Sequence, residues 1–158
     1  MHEIPALDDA LGPERAAAFR SAALSHHVQF LVARVRGLGL APANRAMLES
    51  VGLKTREYSV LSLAAAGIDP SQRELGLFLG MDPSQVVSVV DTLEKRGLVR
   101  REVDPRDRRS RIVTVTAEGE QARNAGWAVA RRVDAELFSP LDEAERAELL
   151  RLLAKIAL

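Results

Sequence analysis

The segment from Met81 to Thr116 limits what this 158-residue chain can fold into more than any other stretch. It opens with Asp82-Pro83-Ser84-Gln85, which puts an acceptor at a helix cap, proline at the first helical position and glutamine three residues on. Val86, Val89, Val90 and Leu93 then recur at the spacing of one helical face, until Gly97 stops the run. A short strand, an arginine-studded loop and an alternating strand from Ile112 to Val115 complete the segment. Between Arg100 and Arg111 the bases are Arg100, Arg101, Arg106, Arg108, Arg109 and Arg111, against the acids Glu102, Asp104 and Asp107. The segment therefore reads as a helix followed by a hairpin with a cationic tip.

A second capped helix lies just upstream. Ser71-Gln72-Arg73-Glu74 is a capping box, opening a short helix from Gln72 to about Leu79 that Gly80 closes. Two capped helices around a glycine-containing turn make a helix-turn-helix, and the hairpin adds a wing. Such a unit implies duplex DNA as its partner. Pro83, Ser84, Gln85 and Ser88 at the start of the second helix would face base edges, where glutamine suits adenine. Arg106, Arg108, Arg109 and Arg111 would serve the wing, since a narrow groove concentrates negative potential and accepts guanidinium, with Asp107 bracing one of these bases. Ser71, Gln72 and Arg73 would hold a phosphate at the first helix of the pair. Simple capping remains an alternative for Ser84 and Gln85, and an equal one for Ser71 to Arg73. Lys plus Arg equals Asp plus Glu at 22 each. Zero net charge does not argue against DNA, because phosphate attraction depends on where the charge sits.

The flanking regions read as helical. Residues 1–12 form a loose N-terminal arm. Gly12-Pro13-Glu14 opens a long helix whose Leu24, Val28, Leu31, Val35 and Leu38 alternate by four and three, a coiled-coil-like seam. It is expected to dissolve at Gly37-Leu38-Gly39, with a short helix from Pro42 through Leu48 ending near Gly52. Thr55 caps another helix with Val60, Leu61 and Ala64 inward. Thr116 caps a long helix to roughly Phe138, and Asp142-Glu143-Ala144-Glu145 caps a last one lined by Leu149, Leu152, Leu153 and Ile156. The division that follows is 13–54 for a dimerisation helix and its connecting short helix, 55–116 for the DNA lobe, and 117–158 for C-terminal dimerisation helices. The fold class is mainly α with a small β-hairpin wing, dimeric through Leu24, Val28, Leu31, Val35, Leu149, Leu153 and Ile156. Tyr58 and Trp127 are expected in the core.

Val90 to Arg101, Asp104-Pro105-Arg106-Asp107-Arg108-Arg109 and Val113 to Gly119 together closely resemble the signature of the multiple antibiotic resistance regulator (MarR) family. The resemblance implies a homodimer with winged helix-turn-helix lobes, usually repressing nearby genes and released by a small ligand. Asp107-Arg108-Arg109 resembles the family's acid–x–arginine wing tip, whose arginine enters the minor groove. Where similar proteins often carry threonine and then arginine in the recognition helix, this chain has Val87 and Ser88. The family likeness also implies a crevice for a small, often aromatic and anionic effector. His27, Phe30, Arg34, Arg45, Met47 and Tyr58 are residue types that suit it, although core packing and surface charge account for each singly.

Other classes find little support. There is no cysteine, which excludes disulfides, thiolate metal sites and thiol redox switches. His26 and His27 point roughly 100° apart on a helix and share a metal site poorly. No phosphate-binding glycine loop, nucleophile elbow or paired-histidine zinc motif is present, so neither an enzyme nor a resident cofactor is expected. No apolar run approaches the about 18 residues of a membrane span, and the start is unlike a signal peptide, so a cytoplasmic protein is expected. The competing reading is a winged-helix module that dimerises and binds protein without sequence-specific DNA binding.

Overall fold

The computed structural model describes residues 7–158. Its elements are α1 (Leu7–Leu11), α2 (Pro13–Ser21), a 3₁₀ turn (Ala23–His26), α3 (Val28–Val51), α4 (Thr55–Ala64), α5 (Gln72–Leu79), α6 (Pro83–Lys95), β1 (Val99–Val103), β2 (Arg111–Val115), α7 (Ala117–Leu137) and α8 (Glu143–Ala157). Two compact units result. One takes the chain up to Pro42 and again from Val133; the other is Ala43–Arg132.

The unit Ala43–Arg132 is built around α6. Val86, Val90 and Leu93 are fully buried there with Leu53, Val60, Leu61, Leu75, Val99 and Val113. β1 and β2 pair antiparallel from Val99↔Val115 to Val103↔Arg111. The segment before α5 joins this sheet: Ser71 bridges Ile112, and the Val113 N–H donates to the Pro70 carbonyl at 2.8 Å. Gly80, in the left-handed conformation at φ 61°, closes α5 and turns the chain into α6. Arg96, at the other end of α6, donates to the Gly52 and Val51 carbonyls at 2.7 and 3.4 Å, satisfying the frayed end of α3.

Several sequence expectations are met. The Ser71 box is complete, with Glu74 accepting the Ser71 N–H at 2.7 Å and Ser71 accepting the Glu74 N–H at 3.3 Å. The Asp142 box is equally complete. The Thr116 hydroxyl donates to the Gly97 carbonyl at 2.7 Å and accepts the Gly119 N–H at 3.0 Å, so one side chain joins the end of α6 to the start of α7.

The helices before α4 differ from expectation. Residues 1–6 of the expected arm lie outside the described residues, and the rest of it is helical from Leu7. The single helix expected from residue 13 is interrupted by the 3₁₀ turn, which carries Leu24, while Val28, Leu31 and Val35 share α3. No break occurs at Gly37-Leu38-Gly39; α3 runs on through Pro42 to Val51. Glycine in a helix interior costs only about 1 kcal/mol relative to alanine. Gly39 is also buried, and a Cβ there would lie 2.7 Å from the Leu137 side chain, so close packing favours glycine at that point. Lys54, not Thr55, occupies the cap of α4, where Glu57 accepts its N–H at 2.8 Å. Trp127 is exposed, while Tyr58 is buried with its ring over Gly126.

Gly119 is the tightest close approach in this unit. A Cβ there would sit 2.0 Å from the Leu98 carbonyl oxygen and 2.9 Å from its carbon. Gly119→Ala must therefore move backbone, and it is expected to destabilise the protein by about 1–3 kcal/mol in urea unfolding, as overpacked sites do. An unchanged midpoint would show that α7 shifts away freely.

Candidate nucleic-acid interface

α6 presents one polar face. Pro83, Ser84, Gln85, Val87 and Ser88 are exposed, opposite buried Val86, Val90 and Leu93. Asp82 makes no side-chain bond to the first turn, contrary to its expected role as an acceptor. The Gln85 and Val86 N–H groups go instead to the Asp82 carbonyl at 3.0 and 3.1 Å. Pro83 has no N–H to satisfy, which lessens the demand on a cap. Val89 is half-buried and lines an open cleft of about 430 Å³ between the start of α4 and α6. Ser84, Gln85, Ser88 and Thr92 share that wall; Lys54, Arg56, Glu57 and Met81 complete the lining.

Arg101 on β1 fixes this helix to its neighbours. Its guanidinium donates to Asp91 and Glu94 of α6, and to the Gln72 side-chain oxygen of α5 at 3.0 and 3.2 Å. Its backbone N–H donates to the second Glu94 oxygen at 2.9 Å. Arg101 is only 20% exposed at the side chain, so these charge-assisted bonds form in a partly desolvated place. Gln72 thus has its oxygen committed within the protein, and Ser71 is spent on its cap. Arg73 is exposed.

The wing tip sorts its arginines. Arg100 pairs with Glu102. Arg106 grips Asp104 through Nε and Nη2 at 3.0 and 3.1 Å, adds its backbone N–H at 2.8 Å, and reaches the Asp69 carbonyl at 3.2 Å. The buried Asp104 carboxyl is held below the usual carboxylate range by that side-chain bond first and the backbone bond second. Asp107 braces the turn and not an arginine side chain: it accepts the Arg109 N–H at 3.0 Å and the Ser110 hydroxyl at 3.2 Å. The Asp104 N–H to Ser110 carbonyl bond, at 3.0 Å, closes the loop. Arg108, Arg109 and Arg111 are left exposed, with no ion-pair partner among the described residues.

A two-helix reader with a cationic hairpin is the arrangement of known regulators. The sequence profile of the MarR family matches residues 51–110. A solved MarR-family transcriptional regulator from Rhodococcus sp. RHA1 is 37% identical, aligned over 87% of this chain and 97% of its own, with a TM-score of 0.81. This chain belongs to the MarR family. CouR of Rhodococcus jostii RHA1, solved bound to p-coumaroyl-CoA, is also 37% identical, covering 87% of this chain and 96% of its own at a TM-score of 0.78. A Thauera aromatica protein described as a transcriptional regulatory protein for the hcr operon is 31% identical over 112 residues, 71% of this chain and 68% of that one. The protein is a DNA-binding transcriptional regulator with a winged helix, of a family that acts as dimers. Among the described residues no helix is long and apolar enough to cross a membrane.

In this MarR regulator the residues expected at the dimer seam are uncovered in the single chain: Val28 is 72% and Ile156 82% exposed, with Leu24, Leu31, Val35 and Leu153 also exposed and Leu149 half-buried. Val28, Leu31 and Val35 lie on α3 and Leu153 and Ile156 on α8, each exposed in the single chain. The six residues suited to an effector fall in both units. His27 and Arg34 are exposed and Phe30 half-buried in one; Arg45 is exposed, and Met47 and Tyr58 are buried, in the other. Met47, at 2% exposure, is core. The residues that sequence reasoning missed are Asp91, Glu94 and Arg101, and Asp104. The available signal was an acid pair three apart on the back of α6 with an arginine on the facing strand.

Asp104 carries a pH prediction. Its folded pKa is lowered, so the stabilisation it gives the wing is complete above the ordinary aspartate range and disappears as pH falls through the lowered value. Amide exchange at Arg106 should stay slow down to that acid limb in the native protein. In Asp104→Asn it should be fast at neutral pH and lack the limb. An ordinary Asp104 titration followed by NMR would contradict the assignment.

Proposed function

We propose that this MarR regulator is a repressor that sits as a homodimer on a pseudo-palindromic operator and leaves it when a small aromatic or anionic effector binds. The observation that carries the reading is the sorting of the wing. Arg106 is consumed by Asp104, whereas Arg108 and Arg109, on the loop held by Asp107, and Arg111, at the start of β2, have no ion-pair partner among the described residues. In this reading Arg109 enters the minor groove while Arg108 and Arg111 meet phosphates. Pro83 sets the start of α6, and Ser84, Gln85 and Ser88 address base edges from it. Arg73 holds a phosphate beside α5, with the Gln72 amide nitrogen assisting, and Ser71 and Arg106 contribute by holding backbone in place. Two such lobes related by two-fold symmetry read half-sites one helical turn apart, roughly 34–36 Å. The protein then has no catalytic role and works in the cytoplasm, where its DNA lies. The interval 55–116 is the DNA lobe, and 13–54 with 117–158 supply the dimer.

CouR supports an effector carrying an aromatic acyl group and anionic phosphates. Among the residue types that suit such an effector, the exposed His27, Arg34 and Arg45 suit its charge and the half-buried Phe30 its ring, whereas Met47 and Tyr58 are buried. An effector at about 100 times its Kd stabilises the protein it binds by about 2.7 kcal/mol. p-Coumaroyl-CoA and simple aromatic acids should therefore raise the melting temperature and weaken operator binding. If none does either, the effector part of the reading is lost.

The DNA contacts have a sharper test. Arg109→Ala should weaken binding on nearly all duplexes by about 1–3 kcal/mol and, if it also pairs with the backbone, flatten the salt dependence by about one phosphate equivalent. Gln85→Ala should relax preference at one base position and leave non-specific affinity nearly intact. Fluorescence anisotropy across a salt series reads both. An Arg109→Ala dimer with native affinity and salt slope would place the wing off the DNA.

A further inference from the structure

The cleft between the start of α4 and the polar face of α6 holds positive charge that neither the wing nor the helix-turn-helix accounts for. Lys54 directly precedes α4 and Arg56 is its second residue. Both are exposed, and neither has an ion-pair partner among the described residues. They line one wall of the cleft. The other wall carries Ser84, Ser88 and Thr92, spaced by four and so aligned in one row about 12 Å long. The acid in the lining is Glu57, whose carboxylate is turned onto the Lys54 N–H at 2.8 Å. Two cations thus face one carboxylate that is already bonded to backbone.

We propose that Lys54 and Arg56 form a second phosphate clamp, gripping the DNA strand that borders the major groove entered by α6. The inference rests on the reading that α6 presents Ser84, Gln85 and Ser88 to base edges, and it extends the footprint to a part of the chain before the helix-turn-helix. The backbone of α4 does not supply the site: the Lys54 N–H goes to Glu57, and the Thr55 N–H goes to the Asn44 side-chain oxygen at 2.9 Å. The side chains themselves hold the anion. Arg56 offers the planar fork that fits two phosphate oxygens, and Lys54 a mobile point charge. The major groove is about 12 Å wide, little more than a helix with its side chains, so a strand of phosphates must pass alongside α6. Lys54 and Arg56 stand on the α4 side of that helix, across the cleft from Ser84 and Ser88. A phosphate grip of this kind adds affinity without reading sequence.

The test compares the full-length dimer with Lys54→Ala/Arg56→Ala and with Arg109→Ala, by anisotropy on operator and unrelated duplexes over a salt series. The double variant should bind both duplexes at least about tenfold more weakly, with the slope of log K against log salt flattened by about 0.9 for each phosphate no longer neutralised. Its base preference and melting temperature should match the native protein. The charge-conserving Lys54→Arg/Arg56→Lys protein should keep the slope and lose less affinity than the double alanine variant. Native affinity and slope in the double variant, while Arg109→Ala still weakens binding, would overturn the clamp and leave the wing's role standing. Native behaviour in both variants, or no duplex binding by the native protein, would remove the DNA-binding reading of these residues and the clamp with it.

Discussion

The guanidinium of Arg101 is the joint on which the reading head depends. It touches three elements at once, through Gln72 on α5, Asp91 and Glu94 on α6, and its own strand β1. A helix-turn-helix is two short cylinders, and a two-stranded hairpin is marginal alone. Packing of Leu75, Val86, Val90 and Val113 brings them together, but apolar contact is not directional. The fixed fork of an arginine bonded to two carboxylates and an amide supplies the direction. Removing the guanidinium would release Gln72, Asp91 and Glu94 at once, which makes the joint cooperative.

The same logic divides the arginines of the hairpin into two populations. Arg100, Arg101 and Arg106 are matched by Glu102, by Asp91 with Glu94, and by Asp104, and their charge is used inside the molecule. Arg108, Arg109 and Arg111 are matched by nothing among the described residues. A zero net charge is therefore compatible with a strongly positive edge. The acids are placed to hold structural arginines, and Asp107, which could have quenched the tip, is turned onto backbone instead.

Much of this was legible before any coordinates. The Ser71 and Asp142 boxes, the Thr116 cap, the extent of α5 and α6 and the pairing of the wing all follow from local rules, because each is decided by residues within a few positions of each other. The errors lie where distant packing overrules local preference. Gly37, Gly39 and Pro42 each disfavour a helix, yet α3 passes through all three, and Gly39 packs against Leu137 nearly a hundred positions away. Asp82 looked like a cap because of its place in the sequence; the proline after it made the side-chain bond dispensable. Arg106 looked like a free arginine of the wing, since a sequence does not say which acid each one meets. Lys54 and Arg56 escaped notice for a related reason. Nothing near them in the chain marks them, and only the fold sets them across from Ser84 and Ser88.

The closed tip of the wing has a kinetic consequence. Its backbone from Asp104 to Ser110 is tied by its own hydrogen bonds, so the loop has little left to order when DNA arrives. Flexible arms lose chain entropy on docking, and that loss costs affinity. In the proposed docking, the side chains of Arg108 and Arg109 are what remains to be placed, and exposed side chains change rotamer within nanoseconds. Association is then governed by diffusion and by the field of the exposed guanidinium groups, so ionic strength acts on the rate of arrival as well as on departure. In the proposed docking, the pre-closed wing would supply contacts that do not depend on sequence, and the choice among duplex sites would fall to α6.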